Sequence, residues 1–156
     1  MKTYYRIGCG LILLLPFISL SQNFDPITAV PKSLSKYNFG MGLVDFTKKN
    51  KSATILDSSN TFRVEYLDKD AGNDIRDVTY YFDAENNQPL YEMIIRFKDA
   101  QSLDAHCSKK LGPQNDKKGW SWKTTEGYIF KAWRFSNTLV LALGQPSTEW
   151  EKEWDY

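Results

Sequence analysis

The chain is expected to fold as an α+β protein, a mainly antiparallel sheet of about six strands with one or two helices on one face. Three observations predict this. Apolar residues alternate with polar ones along 62–66, 78–82 and 91–97, the period of a half-buried strand. Leu103, Cys107 and Leu111 recur at i, i+4 and i+8, the stripe of a helix. A second set of strand-like segments follows that helix. A more closed, barrel-like sheet with the helix at its mouth is the alternative.

Each element has its own warrant. Met1 to Ser21 reads as a secretory signal peptide, with Lys2 and Arg6 at a basic start and Ser19-Leu20-Ser21 before a cleavage point. Its apolar run, Ile7 to Leu20, holds about 14 residues where a bilayer span needs about 20. Cleavage there starts the mature chain near Gln22 and leaves no transmembrane segment. A lipid anchor on Cys9 is rejected, because the apolar run follows that cysteine. Residues 22–36, rich in Pro, Ser, Lys and Asn, form an irregular leader, and a single α+β domain occupies 37–156. Residues 42–52 form a short helix carrying Leu43, Val44 and Phe46, although Gly40 and Gly42 oppose it.

The first strand alternates Phe62, Val64 and Tyr66 with Arg63 and Glu65; the second sets Val78, Tyr80 and Phe82 against Asp77, Thr79 and Tyr81. In the third, Tyr91, Met93, Ile95 and Phe97 share one face and Glu92 and Arg96 the other. Short polar loops make these three antiparallel neighbours. The helix over 100–111 is capped by Asp99 or Ser102 and stopped by Gly112-Pro113, which places Cys107 on its core stripe and His106 on the flank. Trp120 and Trp122 flank Ser121; Ile129, Trp133 and Phe135 share a face with Lys131; Leu139, Leu141 and Leu143 share another, after a tight turn at Ser136-Asn137. Ser147 to Tyr156 is read as a short helix that pairs Trp150 with Trp154.

Composition limits the function. The 156 residues are 42% hydrophobic and 25% charged, one domain's worth of ordinary globular material. Twenty basic and 19 acidic residues nearly cancel, so no overall field is directed at nucleic acid or anionic lipid. After cleavage Cys107 is the remaining cysteine, which excludes an internal disulfide.

Written as elements, the chain reads helix and three strands, twice. That αβββ-αβββ order resembles the tandem units of β-lactamase-inhibitor-like proteins. The piece Leu111-Gly112 followed by Pro113 and, further on, Trp120 is similar to the helix-stop-and-strand piece of SmpA/OmlA-type envelope lipoproteins, and Gly40-Met41 before a helix is a second echo. The Ser-Gln junction resembles those of exported proteins of Gram-negative bacteria. These likenesses imply a fold and a compartment, periplasmic or secreted, and no activity.

The candidate chemistries are few. His106 and Cys107 are neighbours on one helix, projecting about 100° apart, so they do not form a nucleophile–base pair. A single histidine and a single mature cysteine do not supply a typical zinc site. Asp68 to Asp74 resembles a calcium loop, but Gly72 and Asn73 are exchanged relative to the EF-hand order, and Thr79 stands where a glutamate is needed. Asn50-Lys51-Ser52 matches a glycosylation acceptor without functional weight in a bacterial protein. No phosphate-cradling glycine loop or Gly-x-Ser-x-Gly elbow is present. No catalytic, cofactor-binding or metal residues are therefore assigned. The surplus is aromatic: Tyr81, Trp122, Tyr128, Trp150 and Trp154. The expected use of these rings is burial, with one sheet face under helices and the other under the tail; an exposed patch for a protein or glycan is the alternative.

The expectation is a small exported, non-catalytic protein, a protein- or ligand-binding module of the cell envelope that meets an envelope or extracellular protein. A hydrolase of glycan or cell wall would need clustered carboxylates in a cleft. A carrier of a small apolar ligand would need an enclosed cavity.

Overall fold

The computed structural model of the chain describes residues 23–85, 87–151 and 153–154; the predicted signal peptide lies outside the described residues. In chain order the elements are α1 (Leu43–Lys49), β1 (Thr54–Asp57), β2 (Arg63–Asp68), β3 (Ile75–Asp83), β4 (Leu90–Phe97), α2 (Ala100–Lys110), β5 (Gly119–Lys123), β6 (Ile129–Phe135) and β7 (Thr138–Gly144). The strands form one seven-stranded antiparallel sheet in the order β1-β2-β3-β4-β7-β6-β5.

This is the α+β sheet that the alternation predicts, and it is open: β1 and β5 are its edges, so the barrel alternative does not hold. The reason lies in β7. All of its residues are buried, so it belongs in the middle of a sheet covered on both faces. It pairs with β4, which sends β5 to the far edge. Apart from β1, each helix is followed by three strands, and the last strands of the two sets meet at the centre. The extra strand β1 has no readable alternation, because Thr54, Ile55 and Leu56 are all exposed on an edge.

One face carries the core. Val64, Val78, Tyr80, Phe82, Met93, Ile95, Leu139, Leu141 and Phe130 pack there against Phe46 of α1 and Leu103 and Cys107 of α2. Phe46 is fully buried, with its ring 4.7 Å from Tyr80 and 4.9 Å from Phe82. Asp99 caps α2 by accepting from the Ser102 N–H at 2.7 Å. At the other end Gly112 takes φ +68°, its N–H bonds to Cys107 O, and its own carbonyl accepts from Trp120 Nε1 at 3.0 Å.

Three local expectations are corrected. The leader is not merely irregular: it holds 3-10 turns at Pro26–Ala29 and Lys32–Leu34, and it buries Ala29, Val30 and Leu34 in the core. Tyr91 does not share a face with Met93. The register shifts where Tyr81 and Phe82 pair with Glu92 and Leu90, and this bulge turns the Tyr91 hydroxyl to Glu149 on the opposite face. The tail 145–154 forms turns among its described residues, not a helix, with Ser147 at φ +70°. It lies across the sheet face that the helices leave open.

Candidate functional site

That second face is built from two cross-strand rows. Ser121, Lys131, Ala142, Glu92, Tyr81 and Glu65 are successive register partners from β5 to β2. Gly119, Trp133, Val140, Ile94, Thr79 and Leu67 form the adjacent row. Alternation puts all of these side chains opposite the helices.

The tail seats on the first row. Trp150 Nε1 donates to Glu92 Oε2 at 2.6 Å. Arg63 pairs with Glu65 at 2.7 Å and with Glu149 at 3.4 Å, and its guanidinium lies 4.2 Å from the centre of the Tyr81 ring. Tyr91 donates its hydroxyl to Glu149 at 3.3 Å. Ser147 Oγ donates to the buried Asp83 at 2.7 Å. Trp150 and Trp154 stack at 5.2 Å and 14°, Trp150 meets Trp133 edge-on, and Lys131 Nζ stands 5.1 Å over Trp154.

Two grooves open beside this lid of aromatic rings. One, about 490 Å³, is lined by Lys117, Lys118, Lys131, Trp133, Trp150 and Trp154. The other, about 410 Å³, is lined by Arg63, Tyr81, Glu92, Ile94, Trp133, Glu149 and Trp150. Trp133 and Trp150 line both and pack edge-on at 5.7 Å, so the two grooves adjoin across this ring pair and together make a channel-like surface, the channel, crossing the strands.

Glu92 is the chemically unusual group. It is 4% exposed, and burial pushes its acid up to about 7; Glu149 and Glu65 push the same way, while the Trp150 hydrogen bond and Arg63 oppose it. Burial and the neighbouring carboxylates Glu149 and Glu92 also raise the Tyr91 phenol. The arrangement can hold a proton near neutrality, present a carboxylate to a cation, and stack planar or apolar groups on indole rings.

The groups singled out in the sequence go elsewhere. Cys107 is 3% exposed, and burial raises its thiol, the opposite of nucleophile activation. His106 Nε2 lies 2.9 Å from Ala29 O, tying α2 to the leader, and burial lowers its pKa. Asn50 is buried and donates to Asp68 at 2.8 Å; Asp68 also accepts from Ser52 and from the Asp70 N–H, so this loop is held by its own hydrogen bonds. Among the described residues no group of three or more His, Cys, Asp or Glu is placed to hold a metal ion. The five aromatics divide: Trp122 stacks on Phe24 at 4.2 Å and Tyr128 packs on the core, whereas Tyr81, Trp150 and Trp154 are on the second face. Glu92, Glu149, Arg63 and Trp133 were not singled out, and only the aromatic surplus pointed toward this face.

No protein-family model, curated protein or solved structure matches this chain.

Proposed function

We propose that the chain is an exported, non-catalytic binding module of the cell envelope or extracellular space, and that the channel over Trp133 and Trp150 is its recognition surface for a protein partner. Export rests on the basic, apolar and small-residue pattern of residues 1–21. The envelope assignment draws on the resemblance of the Leu111-Gly112 to Trp120 piece to envelope proteins.

One observation carries the binding reading: the sheet face left by both helices is covered only in part, by the tail, and the grooves beside that tail are lined by indole rings and charged side chains. Trp133 and Trp150 are part-exposed there, and tryptophan is a residue type that anchors protein interfaces. The channel is open to solvent, which favours a segment laid into it over an enclosed small ligand.

A photoreactive phenylalanine derivative in place of Trp133, in the intact protein in its own cells, tests this. A discrete adduct is expected from position 133 and none from position 108 on the exposed side of α2. The same adducts from both positions would overturn the reading.

Glu92 beside Glu149 favours a second reading, a hydrolase of glycan or cell wall with Glu92 as proton donor. Release of dye from labelled cell wall by the wild type, lost in Glu92→Gln, would establish it over the first.

A further inference from the structure

The two ends of the channel differ in charge. At one end Lys117, Lys118 and Lys131 face a single carboxylate, Asp116, which accepts from the Lys117 backbone N–H at 2.6 Å. At the other, Glu92, Glu149 and Glu153 face a single guanidinium, Arg63, already paired with Glu149 and with Glu65 beside the groove. Glu92 and Glu153 have no cation of their own among the described residues. Trp133 and Trp150 stand between the ends, and Val140, Ile94 and the 57% exposed Phe135 give the acidic groove an apolar floor and wall.

The register sets the scale. Lys131 and Glu92 flank Ala142 in one row, so they are two strand spacings apart, about 10 Å at roughly 4.8 Å each. From β5 to β3 is four spacings, about 19 Å, the length of about six residues of extended chain.

We propose that the channel seats an extended segment of the protein partner running across the strands, with an acidic side chain at the Lys117–Lys118–Lys131 end, apolar side chains over Trp133 and a basic side chain at the Glu92–Glu149–Glu153 end. The inference rests on the binding reading above and supplies the partner's chemistry. Opposite charges a few residues apart on one chain match both ends at once, whereas a polyphosphate or nucleic acid would meet the carboxylates with like charge. Indole and phenol walls beside Glu92 add attraction for a lysine or arginine head. A cation there also favours the ionised form of Glu92, which burial disfavours.

The probes are acetylated, amidated hexapeptides with glutamate at one end, lysine at the other and leucine and serine between, made in both sequence orders. Controls replace the lysine by norleucine, the glutamate by glutamine, or both. Titration into the intact protein is followed by tryptophan fluorescence. One bipolar order is expected to bind about tenfold more tightly than the neutral peptide. Glu92→Gln and Glu153→Gln should remove the preference for lysine only, and Lys118→Gln the preference for glutamate only. Glu153 and Lys118 are exposed, so their variants keep the fold. Equal binding of bipolar and neutral peptides, no measurable binding of either bipolar order at millimolar concentration, or loss of the wrong preference in a variant would each overturn the proposal. An adduct at position 133 that persists without any charge preference removes this inference and leaves the binding reading; loss of the adduct removes both.

Discussion

Replacing Glu92 by glutamine isolates the energetic consequence of the buried acid. The substitution keeps the side chain's length and an oxygen that accepts from Trp150 Nε1, 2.6 Å away in the wild type, but it removes the titration. The ordinary acid, near 4.5, is pushed up to about 7 in the folded protein, chiefly by burial. The folded state therefore holds its proton where the unfolded chain has released it. Below pH 4.5 both states are protonated and the favourable contribution is complete. As pH rises toward 7 the unfolded state ionises first, and stability is lost; above 7 both are ionised and the loss is constant. At roughly 1.4 kcal/mol for each tenfold, the whole loss is on the order of 3 kcal/mol. Urea unfolding of wild type and Glu92→Gln between pH 4 and 8 measures it. The difference, variant minus wild type, is expected to climb by about that amount between pH 4.5 and 7 and then level. A flat difference curve would refute the argument, because it would mean that Glu92 is solvated or permanently paired. A curve of opposite slope would show that Arg63 and Trp150 outweigh burial.

Three further outcomes follow from other parts of the fold. Cys107→Ala should cost about 1–2 kcal/mol through a small cavity, and thiol labelling of the folded wild type should be slow, since Cys107 is 3% exposed between α2 and the sheet; rapid labelling would contradict this. Gly119→Ala should destabilise by about 1–3 kcal/mol or unpair the β5 edge, because an added Cβ would lie 2.2 Å from the Ala132 carbonyl oxygen across the β5–β6 pair; a neutral effect in thermal unfolding would show that the strand yields freely. Mass spectrometry of the native protein should find a start near Gln22, and an intact Met1 would remove the export reading.

Local pattern was enough wherever a segment's own residues decide its environment. Alternation located β2, β3, β4, β5 and β6, because a strand covered differently on its two faces must differ on them in sequence, and a short apolar run after the Ser136-Asn137 turn located β7, which is buried throughout. The stripe Leu103–Cys107–Leu111 and the Gly112 stop located α2, because helix period and positive φ are local properties. The edge strand β1 escaped, since exposed Thr54, Ile55 and Leu56 have no buried face to mark. Strand order escaped too, and with it the choice between open sheet and barrel: the pairing of β4 with β7 joins residues far apart in the chain. The site is the extreme case. Glu92 reads as an ordinary outward-facing polar residue of β4, and it becomes a buried acid only because Trp150, 58 positions later, folds back onto it. Arg63 meets Glu149 across 86 positions, and a bulge brings Tyr91 to the same carboxylate. The sequence by itself determined which residues alternate and roughly where β2 to β7 and α2 lie. Tertiary structure alone decided which face the tail covers, because desolvation and ion pairing depend on what is brought near a group in space.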